Sequence, residues 1–122
     1  MKTTSLFLAA ALASAGSVSF AENHAMPAMA EMAEGDVKSF MVPMDKLMAT
    51  MPMTSTGMPD ADFLLMMIPH HQSAVEMAKV ELEIGNDEKT KEMAQSMIDA
   101  QEAEIEEMRA MLKDMGIDTT SE

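Results

Sequence analysis

Residues 60–84 read DADFLLMMIPHHQSAVEMAKVELEI, and their spacing decides the fold. Leu64, Ile68, His71, Val75, Ala78 and Leu82 recur at alternating steps of four and three, the repeat of a single helical face. The same alternation returns downstream in Ala94, Ile98, Gln101, Ile105, Met108, Leu112 and Met115. Two long helices are expected, the first capped by Asp60, running to Ile84 and stopped by Gly85-Asn86. The second opens with Asp87, Glu88 and Glu92 at its positive dipole end; Arg109 and Lys113 lie near its close, and Gly116 stops it. A connection this tight forces the pair antiparallel, as a hairpin.

Upstream, Phe40, Met41, Met44, Leu47, Met48 and Met51 predict a short amphipathic helix within residues 36–53, with Pro43 in its first turn and Pro52 at its end. Thr54 to Pro59 (TSTGMP) forms a loop. The expected architecture is all-α: an antiparallel helical hairpin plus a short N-terminal helix, of four-helix-bundle type. One hairpin and one short helix leave apolar surface uncovered, and no internal repeat supplies more helices, so a homodimer is expected.

The chain ahead of these helices carries an address. Met1 and Lys2 make a positive start, Leu6 to Ala13 (LFLAAALA) is apolar, and Ser19-Phe20-Ala21 offers small residues where a signal peptidase cuts. Residues 1–21 are thus expected to be a cleaved signal peptide, too short to span a bilayer, placing the mature protein in the periplasm. Residues 22–35 follow as a flexible methionine-rich arm, 36–118 as the helical domain and 119–122 as a disordered tail. No later segment is apolar enough to cross a membrane. The 122 residues carry 8 basic and 21 acidic side chains, a balance that repels nucleic acid and gathers cations.

Composition then points to the cation. Eighteen methionines and no cysteine are present. Leucine fills core volume with better defined rotamers, so packing alone does not call for such an excess. Thioether sulfur is a soft, neutral donor suited to Cu(I) and, by the same softness, Ag(I). In an oxidising compartment it also avoids the disulfide chemistry that threatens a thiolate site.

His71 and Gln101 interrupt the two apolar seams, and a turn near residue 86 sets them level with each other. On the adjoining stripe lie Met67, His70, Ala74 and Met77, beside Met66; facing them are Met97, Gln101, Glu104 and Met108. Two imidazoles, several thioethers and a carboxylate therefore converge on about two turns of the hairpin. Pro69, just ahead of the histidines, removes a backbone donor and predicts a kink over residues 65–69. Any one of these residues taken singly is ordinary core, and His71 facing Gln101 could be a simple hydrogen-bonded pair. Their convergence in a cysteine-free, methionine-heavy chain favours metal.

DADFLLMMIPHHQSAVEMA followed by AQSMIDAQEAEIEEMRAML resembles a family of small exported bacterial proteins, marked by the MIPHH core and a downstream EIxxM. The likeness runs from Asp60 to Leu112. It implies a ferritin-like helical bundle and copper binding in copper resistance, with His70, His71, Met67, Met77 and Met108 at the matching positions. Met111 stands where the family usually has tryptophan. Some relatives carry two copies of the unit and this chain one, which again favours a dimer. A di-iron centre is not expected, because Met67 and Ile68, rather than glutamates, lie three residues before His70 and His71.

A second site follows if cleavage leaves Glu22 first. Glu22-Asn23-His24 then offers an amine, two amides and an imidazole as a square-planar set for Cu(II), with Met26, Met29 and Met32 behind it for the reduced ion. Met41, Met44, Met48, Met51, Met53 and Met58 are expected as weaker, exchangeable ligands. The sequence therefore predicts a periplasmic copper-binding protein that sequesters or shuttles copper, with an exporter or oxidase as transfer partner. A methionine-rich oxidant scavenger and a metal-free structural dimer are the alternatives. No nucleophile with a positioned base and no phosphate-binding loop is present, so an enzyme is not expected.

Overall fold

A computed structural model describes residues 27–119, and every regular element among them is helical: α1 (Met29–Met32), α2 (Val37–Thr50), α3 (Pro59–Ile84) and α4 (Glu88–Asp114). The signal peptide expected at 1–21, residues 22–26 of the arm and residues 120–122 of the tail lie outside the described residues. No helix among the described residues is long and apolar enough to cross a membrane.

The two seams meet as their periodicity demands. Ala61, Leu64, Ile68, Ile105, Met108 and Leu112 form one buried cluster toward the open end of the hairpin. Val75, Ala78, Ala94 and Ile98 form a second toward the turn, with Leu82 packed against it. Leu64 thus shares a cluster with Met108, and Val75 with Ile98, the pairing set by a reversal near residue 86. Between the two apolar clusters lies the level of His71 and Gln101.

Helix ends show where local chemistry differs from expectation. The cap of α3 is Met58 rather than Asp60; Pro59 takes the first helical position, where its missing N–H costs nothing. Asp60 and Asp62 both fall in the first turn. Asp62 reaches back into the preceding loop, its carboxylate accepting from the Ser55 hydroxyl at 2.5 Å and from the Thr56 amide and hydroxyl, each at 2.7 Å. The Ser55 hydroxyl, followed by the two Thr56 donors, holds this carboxyl below its ordinary value of 3.8. Because the folded value is depressed, the loop is held above the ordinary range and released as pH falls through the lowered value. The Thr56 amide resonance is expected to titrate below pH 3.8 and to lose that titration in Asp62→Asn, a comparison that NMR makes directly.

The turn works through space rather than handedness. Gly85 has φ of −65°, outside the left-handed region, but a Cβ there would sit 2.5 Å from the Glu81 carbonyl oxygen. Asp87 then caps α4, accepting from the Thr90 amide at 2.8 Å and its hydroxyl at 2.7 Å. At the far end Gly116, with φ of +81°, closes a Schellman motif: its N–H donates to the Lys113 carbonyl and that of Ile117 to the Leu112 carbonyl. A Cβ at Gly116 would touch nothing, so Gly116→Ala tests backbone strain alone. It is expected to cost about 1 kcal/mol in denaturant unfolding.

α2 packs on α3 and not on α4. Pro43, expected in the first turn, lies well inside the helix, because the turn at Gly35 (φ of +58°) starts α2 earlier, at Val37. The Pro43 carbonyl accepts the buried Ser73 hydroxyl at 3.0 Å, which ties α2 to α3. Residues 65–69 stay helical through Pro69, itself buried. Within the stretch expected as a flexible arm, α1 is a helical turn pinned to α2, the Asp45 carboxylate accepting from the amides of Met29 at 2.6 Å and Ala30 at 2.8 Å. Amides that open a helix lack intrahelical partners, and a carboxylate satisfies two of them.

Candidate functional site

Consecutive helical residues point about 100° apart, so the two histidines cannot share one direction. His71 turns into the space between α3 and α4 and is half-buried, whereas His70 is exposed. Their ring centroids are 5.9 Å apart with the planes inclined at 59°.

His71 has both ring nitrogens engaged. Nδ1 lies 2.9 Å from the Met67 carbonyl oxygen and Nε2 lies 2.8 Å from Glu104 Oε2. A carbonyl only accepts, so Nδ1 carries the proton in that bond and Nε2 is the nitrogen left for chemistry. Nε2 in turn faces a carboxylate, which also only accepts while ionised. The pairing therefore has two forms: an imidazolium donating to Glu104, or a neutral ring whose Nε2 lone pair meets a cation that the carboxylate also attracts. Ordering of a ring by an Nδ1–H to backbone carbonyl bond is the usual way a metal-binding imidazole is held. The side chain of His71 keeps 15% of its surface exposed and that of Glu104 57%, so this edge of the hairpin is open to solvent.

Gln101, expected opposite His71, is not its hydrogen-bond partner; Glu104 is. Side chains lean toward the N-terminus of their own helix, so His71 and a residue one turn beyond Gln101 lean toward each other across an antiparallel pair. Gln101 Oε1 is left buried with no hydrogen-bond partner, three residues from Glu104. Such an acceptor is rare in a folded chain and marks a place where a donor or cation would be stabilised.

The remaining sequence candidates divide. Met67 is half-buried against the open-end cluster, and Met108 is buried within it, where its thioether packs among Ala61, Leu64 and Leu112. Met77 is half-buried, while Met66 and Met97 are exposed. Met44 is half-buried with its sulfur 3.9 Å from the Ser73 hydroxyl, a neighbour that helical periodicity did not reveal because the register of α2 on α3 was not legible. Met48 is exposed, and Met29 opens α1. Glu22, Asn23, His24 and Met26 lie outside the described residues. Among the described residues, no three imidazole or carboxylate groups gather closely enough to hold an ion by themselves. What the hairpin brings together at this level is one imidazole and one carboxylate, His71 and Glu104.

No curated protein and no solved structure matches the chain. A family model does, over residues 8–112, a span that takes in His70, His71, Gln101 and Glu104. On that match the chain belongs to the family described as a domain of unknown function, DUF305.

Proposed function

We propose that this protein binds copper, chiefly Cu(I), and sequesters or shuttles it in the periplasm without catalysis, serving copper homeostasis and resistance. The observation that carries the reading is His71: its Nδ1 is spent on the Met67 carbonyl, which presents Nε2 to Glu104, and the unpartnered Gln101 oxygen belongs to the residue three before Glu104 on α4. The large apolar side chains left in water among the described residues are mostly thioethers, among them Met66, Met97 and Met111 on the hairpin and Met48 on α2. Methionine has three rotatable bonds, so an exposed sulfur reaches an ion that a rigid side chain would miss. Imidazole with thioethers is a donor set for Cu(I), and Ag(I) follows by softness, while Glu104 suits Cu(II) better. The likeness of residues 60–112 to the periplasmic copper-binding protein CopM supports the same reading. His24 would add a Cu(II) site if the mature chain starts at Glu22, and an exporter or oxidase would receive the ion.

Native mass spectrometry of the mature chain with limiting Cu(I), then Cu(II), tests the proposal. Stoichiometric Cu(I) uptake is expected, with the tightest ion lost in His70→Ala/His71→Ala. Uptake unchanged by that double substitution would remove the hairpin from the binding site. One observation favours oxidant scavenging as a second reading: Met53, 92% exposed, packs against almost nothing. Rapid sulfoxide formation there, in a chain that takes up no copper, would put that reading first.

A further inference from the structure

Both hairpin helices carry a second stripe that no element among the described residues covers. Beside the buried seam of α3 run Phe63, Met67, His70, Ala74 and Met77, again at steps of four and three. Beside that of α4 run Met93, Met97, Ala100, Glu104, Glu107 and Met111 at the same repeat, apolar apart from the two glutamates. Phe63 is 60% exposed, Met93 61% and Met97 47%. A solvated face has no reason to keep a repeat of three and four, which is the period of a helix–helix seam.

The two stripes share one side of the molecule. In an antiparallel pair each flank is closed by its own bridging side chains, and here Lys79–Glu102 closes one flank and His71–Glu104 the other. The first flank borders the groove of about 810 Å³ between α2 and α4, lined by Leu47, Lys79, Glu102 and Arg109 among others. The stripes lie on the second flank, with Glu104 in the middle of one of them.

We infer that this flank docks a second copy of the chain, two hairpins pairing face to face into a four-helix bundle. Two adjoining stripes of equal period and similar length call for two antiparallel helices of that same period, and the hairpin itself is such a pair. From Phe63 to Met77 the α3 stripe has no carboxylate, and on the α4 stripe Glu104 is hydrogen-bonded to His71 at 2.8 Å. For a chain of net charge −13, a face whose α3 half is free of carboxylates lowers the repulsion between identical molecules. The stripes run about 25 Å and are two helices wide, on the order of 500 Å² in projection and more when corrugation is counted. That approaches the ~800 Å² each partner buries in a stable dimer. The contact goes beyond the copper reading and needs no metal, so the two stand or fall separately.

Light scattering on the full chain, with a chelator present, tests it. The expected mass is twice that of one chain, halving in Phe63→Glu/Met97→Glu while the helical circular dichroism is kept. Met93→Glu, also on the α4 stripe, repeats the test should the double variant lose helix. Lys46→Glu, in the α2–α4 groove, is expected to leave the dimer intact. A single-chain mass for the unaltered protein at every concentration overturns the inference. So does a dimer that survives the stripe substitutions but is lost with Lys46→Glu, which would put the contact in the groove.

Discussion

Leu112→Ala is expected to lower the free energy of unfolding by about 3 kcal/mol, the middle of the range for a leucine emptied from a close-packed core. Leu112 is fully buried, the only large side chain in that state among the described residues. It shares a cluster with Ala61, Leu64 and Met108, and its carbonyl accepts the Ile117 amide that closes the end of α4. Both neighbours limit collapse of the void: Ala61 has no side chain to extend, and the capped backbone at 112–117 is held in place. A small domain has only some 5–15 kcal/mol in total, so the loss is large. Leu112→Met keeps the volume and should cost less than about 1.5 kcal/mol. Urea unfolding with an unchanged slope checks both values. A loss below about 1 kcal/mol for alanine would mean that this end of the hairpin repacks freely.

His71→Ala is expected to weaken Cu(I) binding by more than about 100-fold, exceeding the ~10–100-fold that commonly follows loss of an outer partner of a metal ligand. His70→Ala should have the smaller effect, because His70 is exposed and has no bond that orders its ring. Glu104→Gln separates oxidation states. It removes a hard carboxylate that helps Cu(II) but also competes with copper for Nε2 of His71, so Cu(II) affinity should fall while Cu(I) affinity holds or rises. Competition titrations against chelators of known affinity, run separately for each ion, read these changes. Equal losses for His70→Ala and His71→Ala would show that the ordered ring has no special part in binding.

The hairpin was legible because each of its signals is local or periodic. Apolar steps of four and three set the buried seam, and a short connection containing glycine set the direction of the second helix. Their register followed from the turn alone. Helix starts were less legible. Asp60 is a good cap on composition, yet Pro59 opens α3 two residues early behind Met58, and Asp62 is drawn to Ser55 and Thr56. Pro43 misled for a related reason: a proline is cheapest in a first turn, and only the packing of α2 on α3, with Ser73 bonded to the Pro43 carbonyl, shows what holds an interior one.

The candidate site was half legible. That an imidazole and a carboxylate meet on one level of the hairpin follows from helical spacing. Which atoms meet does not, because a helical wheel places Cα atoms and ignores the lean of side chains toward the helix N-terminus. That lean gives His71 to Glu104 and strands the Gln101 oxygen.

By itself the sequence determined that the chain is all-helical, that two long helices lie antiparallel and which residues form their seam, since periodicity and turn length need only neighbours a few positions away. Tertiary structure alone decided that α1 hangs on Asp45, that His71 meets Glu104 rather than Gln101 and that a second methionine stripe is left uncovered by the described residues. Each of those depends on where one helix lies against another, and contacts between residues distant along the chain leave no local mark.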